Sequence, residues 1–361
     1  MKILIVNPFG IGDVLFCTPL IANIKAADPE GFLGFMCNAR TQDVLSGNAQ
    51  IDKIFVFEKD QYRHLWAQDK LRCIKRFIGF LFEVRKYRFD AVIDLSLGHQ
   101  YSLFFLLFGI KKRIGYNYRK RGRFLTDKID IAGYDSKPIT EYYLGLLKFL
   151  DILPRYFEIT MAVSEADQEK ATQFFNKNQL KDEDLVIGII PAGGASWGRN
   201  FSYRHWPPEN YSRLADRLIE ELSAKIIIFG SSNEIPICRI VEEKMRHRPF
   251  SACGQTTLKQ FAALLAKCDL IVCNDGGPLH VAVSQGAFTV SIFGPVDEKV
   301  YGPYPPGPRH IVVTKDIDCR PCYKRFKLPK CSRQRQCVRD IRAENVFNII
   351  KANLQEKNSK Q

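Results

Sequence analysis

Short apolar runs alternate with longer amphipathic stretches along the chain. KILIVN (2–7) reads as a buried strand. It ends in Pro8-Phe9-Gly10, and after a glycine turn a helical pattern runs from Val14 to Ala27. GFLGFMC (31–37) and KIFVFE (53–58) read as strands, with a helix start near Thr41 between them. Residues 62–89 are basic and amphipathic and predict one helix or two. AVIDLS (91–96) is another buried strand, followed by an apolar helix through Phe108 and a strand at RIGY (113–116). Strands alternating with helices argue for an α/β fold, a parallel sheet covered on both faces.

The pattern breaks near residues 150–166, where a proline, an extended segment and a helix start at Ser164 suggest a linker. The alternation then restarts. LVIGIIPAGGAS (185–196) is strand then glycine loop, 206–222 a helix opened by prolines, and AKIIIFGSS (224–232) strand then turn. A helix at 258–268, a strand and loop at 269–277, a helix at 278–286 and a strand at 288–295 complete the second half. The predicted division is 1–160 and 161–342, with a final helix in 343–361.

Two domains also fit the length of 361 residues, at about 150 residues per domain. Hydrophobic residues at 46% and charged residues at 25% exclude disorder, collagen and coiled coil. The apolar run Tyr101 to Ile110 is about half the ~20 residues of a membrane span. The N-terminal residues read as a strand and not a signal peptide, which predicts a cytoplasmic protein.

Charge changes the picture more. The net charge of +14 is concentrated in 62–89 (+6), 111–128 (+7) and 319–342 (+8), leaving the remainder at −7. Three basic segments on a mildly acidic body suggest a polyanionic partner, and solvated basic faces are the plain alternative. In 62–89 the cations are interleaved with Trp66, Phe77, Ile78, Phe80, Leu81 and Phe82, a mixture suited to a membrane interface or to a helix packed on its own domain.

Ligands of open α/β sheets bind where strands end and helices begin. Gly10-Ile11-Gly12-Asp13 follows the first strand; its glycines allow a tight turn, and the following helix start favours an anion. Asp13 is there either a helix cap or a functional carboxylate. Asn274-Asp275-Gly276-Gly277-Pro278-Leu279-His280 is the second such corner, with N–H groups at Gly276 and Gly277 suited to a diphosphate. A third loop, Gly193 to Arg199, carries Ser196, and Arg204 and His205 follow it.

These residues lie in ordered motifs. I-G-D (Ile11 to Asp13) precedes T-P-L (Thr18 to Leu20); D-A-V-I-D-L (Asp90 to Leu95) precedes R-I-G-Y (Arg113 to Tyr116). The second half has P-x-G-G-A-S-W-G (Pro191 to Gly198), H-W-P (His205 to Pro207), N-D-x-G-P-x-H (Asn274 to His280), F-G-P (Phe293 to Pro295) and Y-G-P (Tyr301 to Pro303). Over nearly its whole length the chain resembles the ADP-heptose:lipopolysaccharide heptosyltransferases, glycosyltransferase family 9. The resemblance implies the GT-B arrangement, two Rossmann-like domains facing a cleft, with an inverting mechanism and no metal or other cofactor required for catalysis. It implies that Asp13 is the catalytic base. It implies donor contacts at Ser196, at Arg204 (where the family usually has Lys), at Glu234 and at Asp275, Gly276, Gly277 and His280. Gly276 departs from the usual Thr or Ser, and Asn7-Pro8-Phe9 replaces a segment that often carries Arg. The acceptor would be a lipopolysaccharide core or another phosphorylated glycolipid at the cytoplasmic surface of the inner membrane. Anion-binding candidates for it are Gly12, Lys111, Lys112, Arg113, Arg119 and Arg121. In GT-B proteins the last helix often crosses back to the N-terminal domain.

Eleven cysteines do not fit a fully paired disulfide scaffold. Seven lie mostly in apolar patterns. Cys319, Cys322, Cys331 and Cys337 form C-x2-C-x8-C-x5-C, read as a structural zinc site or as free thiols or a disulfide. The nine Lys/Arg of this segment predict lowered thiol pKa values. Two other functions compete with glycosyl transfer: a sugar-nucleotide 2-epimerase on the same scaffold, and a nucleic-acid-binding protein using the basic segments and cysteines. The second leaves Asp13 and the glycine loops unexplained, so no nucleic-acid partner is expected.

Overall fold

The computed structural model describes every residue except Tyr156, 194–201 and 359–361. It divides after Ala162 into two compact bodies, close to the break expected at 160. The strands are β1 (Lys2–Val6), β2 (Phe32–Cys37), β3 (Lys53–Val56), β4 (Ala91–Asp94), β5 (Lys112–Tyr118) and β6 (Asp127–Ile131) in the first body. The second has β7 (Val186–Ile190), β8 (Lys225–Ile228), β9 (Phe250–Ser251), β10 (Leu270–Asn274), β11 (Thr289–Phe293) and β12 (His310–Thr314). Helices of the first body are α1 (Ile11–Leu15), α2 (Thr18–Ala27), α3 (Gln42–Leu45), α4 (Lys59–Gln68), α5 (Lys70–Arg85), α6 (His99–Leu107) and α7 (Ile139–Leu144). Those of the second are α8 (Glu165–Lys177), α9 (Pro208–Leu222), α10 (Ile235–Lys244), α11 (Leu258–Ala266), α12 (Gly277–Ser284), α13 (Glu298–Tyr301), α14 (Gln336–Arg339) and α15 (Ala343–Asn358).

Among the described residues each body has one six-stranded parallel sheet. The orders are β3-β2-β1-β4-β5-β6 and β12-β11-β10-β7-β8-β9, the same doubly wound topology twice. The first strand of each body therefore sits at the point where the order reverses, beside β4 in one and β10 in the other. Central strands are apolar throughout because helices cover both faces: β1 after Lys2, β4, β7 and β10 are buried along their length.

The predicted helix from Val14 to Ala27 is two helices, with α2 restarting at Thr18 and Pro19 in its first turn. The long basic segment also divides. Asp69 ends α4 and caps α5, its carboxylate accepting from the Arg72 N–H at 2.9 Å. The Ser164 start is a reciprocal capping box with Asp167. The last helix, α15, buries Val346, Phe347 and Ile350 in the core that α9 shares through Tyr211, Leu214 and Leu218. That apolar face packs on the second body.

Gly115 on β5 lies beside Asp94 on β4, and a Cβ there would stand 2.5 Å from the Asp94 carbonyl oxygen. Neither backbone can yield cheaply. Gly115→Ala is therefore expected to destabilise the first body by about 1–3 kcal/mol, the usual cost of overpacking, read as a lowered urea midpoint. An unchanged midpoint would show that β5 slides without cost.

Candidate active site

In the first body the switch point is built from the ends of β1 and β4. Asn7 leaves β1 and folds its side chain over the turn: its Oδ1 accepts from the Phe9 N–H at 3.1 Å, and its Nδ2 donates to the Asp13 carbonyl at 3.0 Å. Asp13 is half-buried, and its Oδ2 accepts from the Gly10 N–H at 3.0 Å. Asp13 is thus a helix cap in geometry, and the same contact fixes its carboxylate at the strand-end edge. Burial raises the Tyr134 and Tyr143 phenols well above their ordinary range, and the nearby Asp13 charge adds to this.

Sequence reasoning missed Asp94 as a site residue, although it quoted the motif that contains it. Asp94 pairs with Val6 across the switch point and is buried. Its Oδ1 accepts from the Ser96 N–H at 2.9 Å, yet burial pushes the carboxyl up to about 6.

The anion-binding candidates do not form one group. Lys112 pairs with Ala91, at the start of two parallel strands, so Lys111, Lys112 and Arg113 lie at the edge opposite Asp13. Arg113 is also committed to backbone: Nε donates to Phe124 O at 2.6 Å, and Nη1 donates to Ile110 O and to Lys111 O. These three residues are corrected from the acceptor set, because charge counted along a sequence carries no strand direction. Arg119 and Arg121 follow the carboxyl end of β5, on the Asp13 edge, and stack on Tyr118 at 4.9 and 5.9 Å. Gly12 lies within α1 beside Asp13.

In the second body the switch point joins the ends of β7 and β10. Asn274 stitches it: Nδ2 donates to Pro191 O at 2.9 Å, and Oδ1 accepts from the Trp206 N–H at 2.8 Å. Beside it Arg204 and Asp275 form an ion pair with both side chains buried. Arg204 Nε donates to Asp275 Oδ2 at 2.7 Å, and Nη2 meets the same oxygen. Burial raises the Asp275 carboxyl while Arg204 pulls it down. Asp275 Oδ1 is buried with no hydrogen-bond partner among the described residues, an acceptor that folded proteins seldom leave unused.

Gly276 and Gly277 lead from this pair into α12, with Pro278 in its first turn. His280, one turn in, is buried. Its pKa falls to about 3, first through burial and then through Arg204, so the ring is neutral at physiological pH. Gly193 adopts φ +110°, which an L side chain rarely takes. Its N–H donates to Glu234 Oε1 at 2.8 Å, and its carbonyl accepts from His205 Nε2 at 2.7 Å. Glu234 Oε2 also accepts from the Ser231 N–H at 2.8 Å, so this carboxylate ties the β7 corner to the β8 corner. Ser196 lies outside the described residues.

Arg320 joins this edge from the cysteine-rich segment, a contact invisible in sequence. Its Nε donates to Gly294 O at 2.6 Å, its Nη2 donates to Glu298 at 2.7 Å, and its charge reaches Asp275.

The chain belongs to glycosyltransferase family 9. The family described as Glycosyltransferase family 9 (heptosyltransferase) matches residues 80–332, well over half the chain and parts of both bodies. Lipopolysaccharide heptosyltransferase 2 of Escherichia coli K12 is 26% identical over 309 residues, 82% of this chain and 83% of that one. Among solved structures, a family 9 glycosyl transferase from Veillonella parvula matches with TM-score 0.82 at 23% identity, covering 98% of this chain and 97% of its own. The E. coli ADP-heptose lps heptosyltransferase II matches with TM-score 0.76 at 22% identity, covering 99% and 100%. The fold is theirs, and the protein is a glycosyltransferase. The competing 2-epimerase reading gives way to the family match.

The cysteine cluster departs from expectation. Cys322 and Cys337 have raised thiols, Cys337 to about 11, because burial and neighbouring thiols outweigh the surrounding cations. Cys319, Cys322 and Cys331 all act electrostatically on Cys337, so the four are close. Among the described residues, however, no group of three or more His, Cys, Asp or Glu is arranged to hold a metal ion. Protein contacts order the segment: the Cys322 and Tyr323 N–H groups donate to Pro295 O at 3.0 and 2.9 Å, and Arg335 Nη1 donates to Ser202 O at 2.7 Å.

Neutral buried histidines carry a pH signature. The His280 pKa is depressed, so the unfolded chain takes a proton below about pH 6.5 that the native state refuses until about 3. The stability that depends on neutral His280 is present above pH 6.5 and is lost as pH falls toward 3. Between pH 7 and 5 the loss should be about 2 kcal/mol, with His310, depressed to about 4, adding to it. Urea unfolding of His280→Gln should show that much less pH dependence; equal dependence in both proteins would refute the buried neutral ring.

Proposed function

We propose that the protein transfers a heptose, or a closely related sugar, from ADP-heptose or a similar nucleotide-diphosphate sugar to a lipopolysaccharide core, with inversion at the anomeric carbon. The single observation that carries the reading is the buried corner at the β7–β10 switch point. There Arg204, Asp275 and the open N-terminus of α12 meet, within a family 9 chain. The names of similar proteins support the sugar and the acceptor: lipopolysaccharide heptosyltransferase 2 and ADP-heptose lps heptosyltransferase II.

The chemistry assigns a part to each group. The acceptor hydroxyl attacks the anomeric carbon and gives its proton to the Asp13 carboxylate. The bond between that carbon and the diphosphate oxygen breaks, and its electron pair leaves with the nucleoside diphosphate. The growing negative charge is met by the N–H groups of Gly276 and Gly277, by the α12 dipole and by the positive charge of Arg204. Asp275 orients Arg204 through one oxygen and offers Oδ1 to a donor hydroxyl. Glu234 and Ser196 act on the nucleoside and diphosphate side. Neutral His280 contributes a hydrogen bond and no charge. Arg119 and Arg121 meet acidic groups of the acceptor. The enzyme works in the cytoplasm at the inner membrane surface.

Asp13→Asn keeps an oxygen for the Gly10 N–H, so folding and donor affinity should stay near wild type while turnover falls roughly 10²-fold or more. Near-normal turnover would remove the base assignment. The acceptor side is tested by a pair of double variants. Arg119→Ala with Arg121→Ala should raise the acceptor KM by roughly tenfold, about 1.4 kcal/mol, the scale of charge-assisted contacts. Lys111→Ala with Lys112→Ala should leave it unchanged; the reverse pattern would move the acceptor to the other edge of the sheet.

A further inference from the structure

Helix α5 has two apolar faces, and the first body uses only one. At about 100° per residue, Cys73, Phe77, Phe80 and Val84 share one stripe. Cys73 and Val84 are buried, Phe77 meets Phe104 of α6 at 5.1 Å, and Phe80 meets Phe57 at 5.2 Å. Leu71, Ile74, Ile78 and Phe82 form a second stripe roughly 130° away. All four are exposed, Leu71 by 80% and Phe82 by 65%. Of the aromatic and aliphatic residues picked out in sequence, Phe77 and Phe80 therefore belong to the packed side and Ile78 and Phe82 to the open one. Trp66 on α4 is also exposed, with Lys70 over its ring at 5.9 Å.

Four exposed apolar side chains in one continuous stripe suit a contact surface. Its flanks identify the partner. Lys75, Arg85 and Lys86 lie on the same side of the helix as the stripe, with Lys70 and Arg72 beside it. The one acid within α5, Glu83, faces Lys53 at 3.8 Å. A protein interface core is depleted in Lys, whereas apolar side chains with Trp and flanking Lys/Arg are the composition of a helix lying in a lipid headgroup layer. Phe57 and Glu58 follow β3 on the same sheet edge as Asn7, so α4 and the start of α5 stand at the edge that carries Asp13.

We infer that the open face of α5, with Trp66 of α4, is a docking surface for an anionic lipid bilayer. Ile74, Ile78 and Phe82 enter the headgroup layer, and Lys75, Arg85 and Lys86 pair with lipid phosphates. The surface names the membrane contact of the proposed reaction and rests on that reading for its purpose: a lipid-held acceptor would present its sugar to the Asp13 edge while its acyl chains stay in the bilayer.

The test is sedimentation of the full chain with vesicles, without donor or acceptor, so its result is independent of which sugar or acceptor the enzyme uses. Wild-type protein should pellet with phosphatidylglycerol-containing vesicles and not with pure phosphatidylcholine, and high salt should release it. Ile74→Ser with Ile78→Ser and Phe82→Ser should lower partitioning at least tenfold. Lys75→Gln with Arg85→Gln and Lys86→Gln should lower it roughly 10²-fold, each cation contributing about fivefold. Both variants should keep the wild-type thermal unfolding curve and ADP affinity. Equal binding to both vesicle types, no binding by wild type, or full binding by both variants would overturn the inference. So would a concentration-dependent dimer abolished by the serine variant without vesicle binding, which would make a second copy the occupant.

Discussion

A parallel sheet buried on both faces has one place to put chemistry. Every strand of such a sheet starts at one edge and ends at the other, and its side chains are consumed by packing against helices. Polar groups survive at the carboxyl edge, where helix N-termini offer unsatisfied N–H groups, and most of all where the strand order reverses and no loop crosses. This chain meets that constraint twice. Asn7 follows β1 and Asn274 ends β10, the two strands on opposite sides of the switch point in their respective bodies, and each uses its amide to fasten the backbone around it. Asn7 holds the backbone carbonyl of Asp13, and Asp275 is the residue that follows Asn274.

The two carboxylates are set differently. Asp13 is half-buried, so water reaches it, and its Oδ2 accepts from the Gly10 N–H at 3.0 Å. Asp275 is buried against Arg204, where losing either partner would strand a charge in the interior. The first suits proton transfer, and the second suits fixed orientation of a guanidinium. Neutral His280 sits in the same corner: a second buried cation beside Arg204 would carry its own desolvation cost, and burial keeps the ring uncharged.

Much of this was legible in the sequence because it depends on strand ends. Apolar runs located β1, β4, β7, β10 and β11, and the glycines after them located both corners. Less was legible where the signal is not local. The polar alternation of β6, DKIDI, is too short to separate from a loop, and β12 follows a proline-rich turn that hides its start. The 111–128 charge cluster looked like one surface, yet β5 carries Lys111 and Arg119 to opposite edges. The cysteine segment looked like a set of thiols whose pKa the surrounding cations lower, but Cys337 is buried beside Gly294, and burial raises its pKa. The positions of Asp94 and Arg320 at the two corners were unreadable, because they arise from strand pairing with β1 and from a segment folding back onto the residues after β11.

Sugar transfer from a nucleotide donor to a separate acceptor is tested most directly by incubating the purified chain with ADP-heptose and a heptose-free lipopolysaccharide core, then analysing both substrates by mass spectrometry and NMR. One heptose should be added to the core, ADP should be released in equal amount, and the new anomeric configuration should be opposite to that of the donor. An altered sugar nucleotide with the core untouched, or transfer with retained configuration, would contradict inverting transfer.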